Sequence, residues 1–277
     1  LCELPPNTQG IAALIALGIL DRHDLGRCRP DSAEAIHLQV EAMKAAFGPV
    51  QAHVADPEAM TIGPTDLLAP ARLDALAAAI SMNRASDPNP VPGPAGGTVY
   101  LAAADRDGMM VSLIQSNYWG FGSGIVVPGT GISLHGRAAG FGLEPGHPNE
   151  VAGAKRPFHT IIPGFVLDRG RPVMGFGVMG AHMQPQGHVQ LMVRLCDYGQ
   201  NPQAALDAPR WHWQSDGTLC LEAGIHRAVA ERLRRRGHTV VENAAVDLFG
   251  GGQIIVKTPA GYCAASDLRK DGQAAGF

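Results

Sequence analysis

The sequence predicts an α+β layered domain, on three observations. The first third carries apolar residues at helical spacing. A proline- and glycine-rich stretch, Ser86–Gly97, then ends that region. Beyond it, strand-like runs flank tight turns before helical patterns return, and helices set against paired hairpins make layers. The 277 residues suffice for one large core or two small ones.

Ile11–Leu20 reads as a short apolar helix after the turn-forming Pro5-Pro6-Asn7. Asp31 and Ser32 are candidate N-caps for a second helix, whose Ile36, Val40, Met43 and Phe47 share one face. A third helix is predicted over 71–84, with Leu73, Leu76 and Ile80 inward. The linker up to Gly97 excludes helix and central strand. Thr98–Ala104 and Met110–Ser116 then form a hairpin across Asp105-Arg106-Asp107-Gly108. Glycines crowd 120–142. A second hairpin is expected from His159–Leu167 and Arg171–Gly177, turning at Asp168-Arg169-Gly170. A helix over 185–198 follows, then one over 226–236, with strands at 239–241, 253–257 and near Tyr262. Trp211 and Trp213 read as packing residues, and Arg232, Arg234, Arg235 and Arg236 as a solvated helix face.

With 45% hydrophobic and 17% charged residues and a net charge of -3, the composition is that of a globular protein. It points away from nucleic acid and anionic membranes. No apolar run reaches the roughly eighteen residues of a membrane span. Five cysteines, widely spaced and without a CxxC pair, read as reduced and structural, which favours a cytoplasmic compartment. His182 and His188 lack the one-turn spacing of a helical zinc pair, and no metal or cofactor is expected. Gly120-Phe121-Gly122-Ser123-Gly124 lacks the Lys-Ser/Thr of a phosphate loop and reads as a turn on a pocket rim. No GxSxG elbow is present. The chain opens at Leu1, which reads as an internal starting point.

A threonine opening a strand reflects, by itself, only backbone propensity. Its surroundings change that reading. ELPPNTQG, GGTVYLAAADRDGMMVSLIQS, GFGSGIVVPGTGISL, KRPFHTIIPGF, GFGVMGAHMQPQGHVQ, YGQNPQAALDAPRW and ASDLRKDG follow one another along the chain. Together they resemble the gamma-glutamyltranspeptidase family of N-terminal-nucleophile hydrolases. NYWGFGSG, FHTIIPGF and MQPQGH are similar to its acylase-like branch.

The resemblance implies an αββα sandwich built from residues 1–97, a mostly helical large-subunit-like region, and 98–277, a small-subunit-like catalytic region. It implies self-cleavage between Gly97 and Thr98, freeing an α-amino group that serves as base for the Thr98 hydroxyl. Gly96-Gly97 suits the uncrowded backbone that such an attack needs. Gly180 and Ala181 match the family's oxyanion turn, where Ala181 fits only if its φ stays negative. Ser116 matches a threonine that bonds the nucleophile. Asp267, in the ASD run, reads as structural.

Around the acyl group the sequence departs from the family. Arg137-Ala138-Ala139-Gly140-Phe141 replaces an acidic segment, His159-Thr160 replaces a serine pair, and Tyr118 replaces an asparagine. A substrate ammonium would lose its counter-charge, a penalty of a few kcal/mol. A glutaryl-like acyl group suits Arg137 better than a γ-glutamyl one, unless Arg137 merely anchors a loop or lies at the surface.

The expected function is a self-processing threonine amidohydrolase or acyltransferase acting on a γ-glutamyl or glutaryl-like amide. The alternative is a non-catalytic, truncated member that does not mature. Full members are longer, mostly ahead of ELPPNTQG, so the sandwich is expected to be incomplete. The partners implied are a small γ-acyl amide and the missing large-subunit portion. A homodimer is left open.

Overall fold

The computed structural model describes residues 1–87 and 97–277; the rest of the linker, Gly96 included, lies outside them. In chain order the elements begin with α1 (Gly10–Leu20), α2 (Ala33–His53), the short α3 (Pro64–Leu67) and α4 (Pro70–Ala78). β1 (Thr98–Ala104) and β2 (Met110–Ser116) follow, then β3 (Gly164–Asp168), β4 (Arg171–Met179) and α5 (Met183–Met192). The remainder is α6 (Pro202–Asp207), β5 (Trp211–Trp213), β6 (Thr218–Leu221), α7 (Arg227–Arg235), β7 (Thr239–Val241), β8 (Gly251–Thr258) and β9 (Gly261–Ser266).

Ser32 caps α2 by accepting the Ala35 N–H at 3.2 Å. Asp31 instead pairs with Arg194. The predicted face Ile36, Val40, Met43 and Phe47 is buried throughout, and Phe47 stacks on Trp213, so both tryptophans belong to the core. The arginine face of α7 is only partly solvated, because Arg232 and Arg236 converge on Glu34 of α2.

Three predicted boundaries move, each for a local reason. α4 stops at Ala78 rather than Arg84. The groups that would extend it have tertiary partners: Ser81 O accepts from His37, Met82 O from Arg236, and Ser86 N donates to Glu41. α5 starts before Pro185, whose missing N–H is not needed in a first turn, and ends at Met192, where Val193–Asp197 winds wider. β3 begins at Gly164, just past Pro163, and His159 makes only an isolated bridge with Thr8.

β3, β4, β8 and β9 form an antiparallel sheet in the order β3-β4-β8-β9. The β1–β2 hairpin lies flat against it. Ala102 and Ser112 sit over Gly175, and the Tyr100 ring lies across Gly177, where a Cβ would come within 2.5 Å of the ring. On the far side of this sheet α5 packs against Val178 through Gly187. α1, α2 and α5 share a core with the β5-β6-β7 sheet, in which β6 and β7 run parallel. Two facing sheets with helices behind one is the expected layering. The hairpin's outer face, carrying Val99, Leu101, Val111 and Leu113, is exposed, and no element among the described residues covers it.

Candidate active site

Strand pairing brings the first two predicted residues together. Thr98 opens β1 directly opposite Ser116 at the end of β2. The Thr98 Oγ1 hydroxyl donates to Ser116 Oγ at 3.1 Å, and Ser116 Oγ also accepts the Tyr118 N–H at 2.9 Å. Gly97 holds φ at +107°, and a Cβ there would lie 2.8 Å from the Gly120 nitrogen. Only glycine fits. Gly120 thus abuts Gly97, while the 120–124 turn is not among the residues lining the cavity beside Tyr118 and Thr160, on whose rim the sequence placed it.

Gly180 and Ala181 follow β4 in the turn leading to α5. Their φ angles are +127° and +52°. The condition set for Ala181, a negative φ, is not met, because the turn takes two positive-φ residues in succession. The alanine bears a strain of about 1 kcal/mol. Its peptide planes are fixed: Gly180 O accepts from Met183 N, and Ala181 O from Gln184 N. Among the described residues neither the Gly180 nor the Ala181 N–H donates a hydrogen bond. Native structures rarely leave buried amides unpartnered, and Ala181 is buried. Two free, fixed donors are what a developing oxyanion requires.

Arg137 is not a surface residue. It is 3% exposed. Nη1 donates to Thr160 Oγ1 at 2.7 Å, and the guanidinium lies 4.9 Å from the Tyr118 ring centroid. Nε and Nη2 are buried without partners, and no carboxylate pairs with the group among the described residues. Burial draws its pKa down to about 10. Among the described residues this buried cation is left without the counter-charge that buried guanidinium groups ordinarily pair with. Thr160 thus serves the arginine. His159 beside it is held near 4, by burial first and then by Arg137 and His135, and so is neutral at pH 7.

A cavity of about 450 Å³ opens beside Tyr118, Thr160 and His182, with Phe141, Phe158 and Asn149 in its walls. His182 is held near 4 by burial and is likewise neutral. Gln9 escaped the sequence reading although it lies within ELPPNTQG. It is fully buried and bonds both Thr160 O and Ala181 O. The signal was a long polar side chain between turn residues and an apolar helix.

Two other polar clusters are structural. Asp267 accepts from Arg210, Arg269 and the Gly252 N–H. Burial pushes its carboxyl up, but these neighbours outweigh that and hold it low. His37, Glu41 and His238 lie close enough to share a metal ion. However, Glu41 already pairs with the Lys44 ammonium at 2.9 Å, and His37 Nδ1 meets His238 Nε2 at 2.7 Å.

The family model described as gamma-glutamyltranspeptidase matches residues 1–277. The oxamate amidohydrolase proenzyme of Klebsiella pneumoniae is 40% identical over 285 aligned residues, covering 100% of this chain and 53% of that protein. The crystal structure of cephalosporin acylase from Bacillus halodurans superposes with a TM-score of 0.92 at 43% identity, over 99% of this chain and 50% of that one. A solved chain of the Pseudomonas nitroreducens gamma-glutamyltranspeptidase, complexed with L-DON, is matched over 98% of its length by 64% of this chain, at 25% identity and a TM-score of 0.59. The chain spans about half the length of the curated relatives it matches first.

Proposed function

The chain belongs to the gamma-glutamyltranspeptidase family, and from that premise we propose that it is a self-processing amidohydrolase or acyltransferase for acyl groups that carry a carboxylate. One observation carries the reading: the buried guanidinium of Arg137, with Nε and Nη2 unpartnered among the described residues, reaches the Thr98–Ser116 pair through Tyr118.

In maturation, Thr98 Oγ attacks the Gly97 carbonyl carbon. The peptide C–N bond breaks as the ester forms, and the hydroxyl proton passes to the departing nitrogen. Water then hydrolyses the ester, leaving Gly97 as a carboxylate and Thr98 with a free α-amino group. A neutral fraction of that amine takes the hydroxyl proton in the next attack, now on substrate. Gly180 and Ala181 N–H receive the oxyanion, and Ser116 holds the hydroxyl in line. Arg137 takes the acyl carboxylate with its idle donors. Transfer to water gives hydrolysis, and transfer to an amine gives a new amide.

Three features support this. The relatives are named proenzymes, amidohydrolases and acylases. The share of this chain that matches the Pseudomonas nitroreducens chain is close to the part lying beyond Gly97. Oxamate, in the name of the Klebsiella relative, is itself the monoamide of a dicarboxylic acid.

Intact mass measurement is the first test. Fragments 1–97 and 98–277 are expected, and Thr98→Ala should leave one chain. Splitting that persists in Thr98→Ala overturns the assignment. Glutaryl anilide should be turned over in preference to its γ-glutamyl counterpart. A second reading, a member that does not mature, draws support from the open outer face of the β1–β2 hairpin. It predicts an intact wild-type chain.

A further inference from the structure

Gln9 lies outside the groups that touch substrate, yet all three polar bonds of its side chain end on the site. Nε2 donates to Thr160 O at 2.6 Å and to Ala181 O at 2.8 Å. Oε1 faces His182 Nδ1 at 3.1 Å, and since an amide oxygen only accepts, His182 carries its proton on Nδ1. The Gln9 backbone N–H also donates to His159 O at 2.9 Å.

The two carbonyls that Nε2 bridges belong to different parts of the site. Thr160 is the residue whose hydroxyl holds Arg137. Ala181 belongs to the turn with the two idle N–H groups. These segments flank the β3–β4 hairpin, joined also by the Ile162 N–H donating to Gln184 Oε1 at 3.0 Å, but neither tie sets the Thr160–Ala181 span directly. An amide with both hydrogens engaged fixes it to within the play of two hydrogen bonds. Full burial excludes water as a substitute partner.

We propose that Gln9 is a positioning residue that sets the span between the carboxylate anchor and the reacting carbonyl, and thereby selects the length of dicarboxylic acyl chain. This rests on the proposed reading of the site. It also gives the region before the cleavage point a direct part in specificity, because Gln9 and Thr98 would belong to different polypeptides after maturation.

The test needs no turnover. Binding of oxalate, malonate, succinate, glutarate and adipate to the full chain is measured by calorimetry, with one carboxylate of each expected on Arg137 and the other at the oxyanion turn. Wild type should favour one length at least tenfold over its neighbours two carbons away. Gln9→Asn keeps the amide but draws it back by a methylene. Gln9→Met keeps the length but removes both donors. Either folded variant should flatten or move the preference at least tenfold. A profile unchanged in shape, or affinity lowered equally at every length, overturns the proposal and leaves Gln9 a structural residue. Arg137→Met provides the separation: if it abolishes binding, the site reading stands whatever Gln9 does. If wild type binds none of the acids, or Arg137→Met binds them equally well, the site reading fails and the Gln9 proposal with it.

Discussion

Arg137→Met separates a residue that holds the fold together from one held ready for a ligand. Burial draws the guanidinium pKa from its ordinary value to about 10, which corresponds to a destabilisation of the charged form on the order of 3 kcal/mol. Against this stands the hydrogen bond to Thr160, about 2 kcal/mol for a charged donor; the pull of Tyr118 is already contained in the lowered pKa. The terms nearly cancel. Replacement by a flexible apolar side chain of similar length should leave stability within about 1 kcal/mol of wild type, unlike the loss of about 3–5 kcal/mol when a buried ion pair is broken. The sign with pH follows. A cation with a lowered folded pKa destabilises at neutral pH, and that cost begins to lift only as pH rises above about 10, so wild type should begin to gain on the variant there. The assay is thermal unfolding with and without glutarate. At a hundredfold excess over Kd the ligand should stabilise wild type by about 2.7 kcal/mol, a rise of several degrees in Tm, and Arg137→Met not at all. A variant that loses more than about 3 kcal/mol, or still responds to glutarate, refutes the reasoning.

Two further predictions rest on stability. Ala181→Gly removes the left-handed alanine strain at the price of more unfolded-state entropy; stability should change by less than about 1 kcal/mol and the Thr98 chemistry should survive, and a loss above about 2 kcal/mol would show that the alanine methyl is needed. Acid should act through buried neutral histidines. His182 and His212 are held near 4 and His238 near 3, each with burial as the leading cause, while unfolded histidine binds its proton near 6.5. Because the unfolded state then binds more protons, stability should fall as pH drops from about 6.5 towards 4. Urea midpoints across that range measure it, and a flat profile would show that these rings are charged or exposed.

Much of the fold was legible because its signals are local. The Asp-Gly turn fixes the β1–β2 register, and that register alone places Thr98 opposite Ser116. Ser32 and the Ile36–Phe47 face gave α2. What sequence missed depends on partners distant along the chain. The end of α4 is set by His37, Glu41 and Arg236, none of which its own residues announce. Arg137 could be read as an anion seat or a surface arginine until its burial was known. Gln9 sat inside a quoted motif with no stated role, because its meaning lies in two carbonyls more than a hundred residues away. The left-handed Ala181 broke a sound steric preference, as residues at functional turns do.

The main hydrophobic core joins Ile15, Val40 and Phe47 to Val189, Trp213 and Leu233, and so straddles the proposed cut. Cleavage therefore does not divide the molecule into independently folding halves. The nicked protein should still melt in one transition, with its two polypeptides held as tightly as one domain. Before the cut, however, unfolding is unimolecular and the tether returns each half to the other. Afterwards, refolding requires two chains to meet, at the mercy of dilution and of the apolar hairpin face. Maturation would thus act as a one-way ratchet on folding, with the proenzyme able to find the native state again after denaturation and the mature form persisting only for as long as it does not unfold.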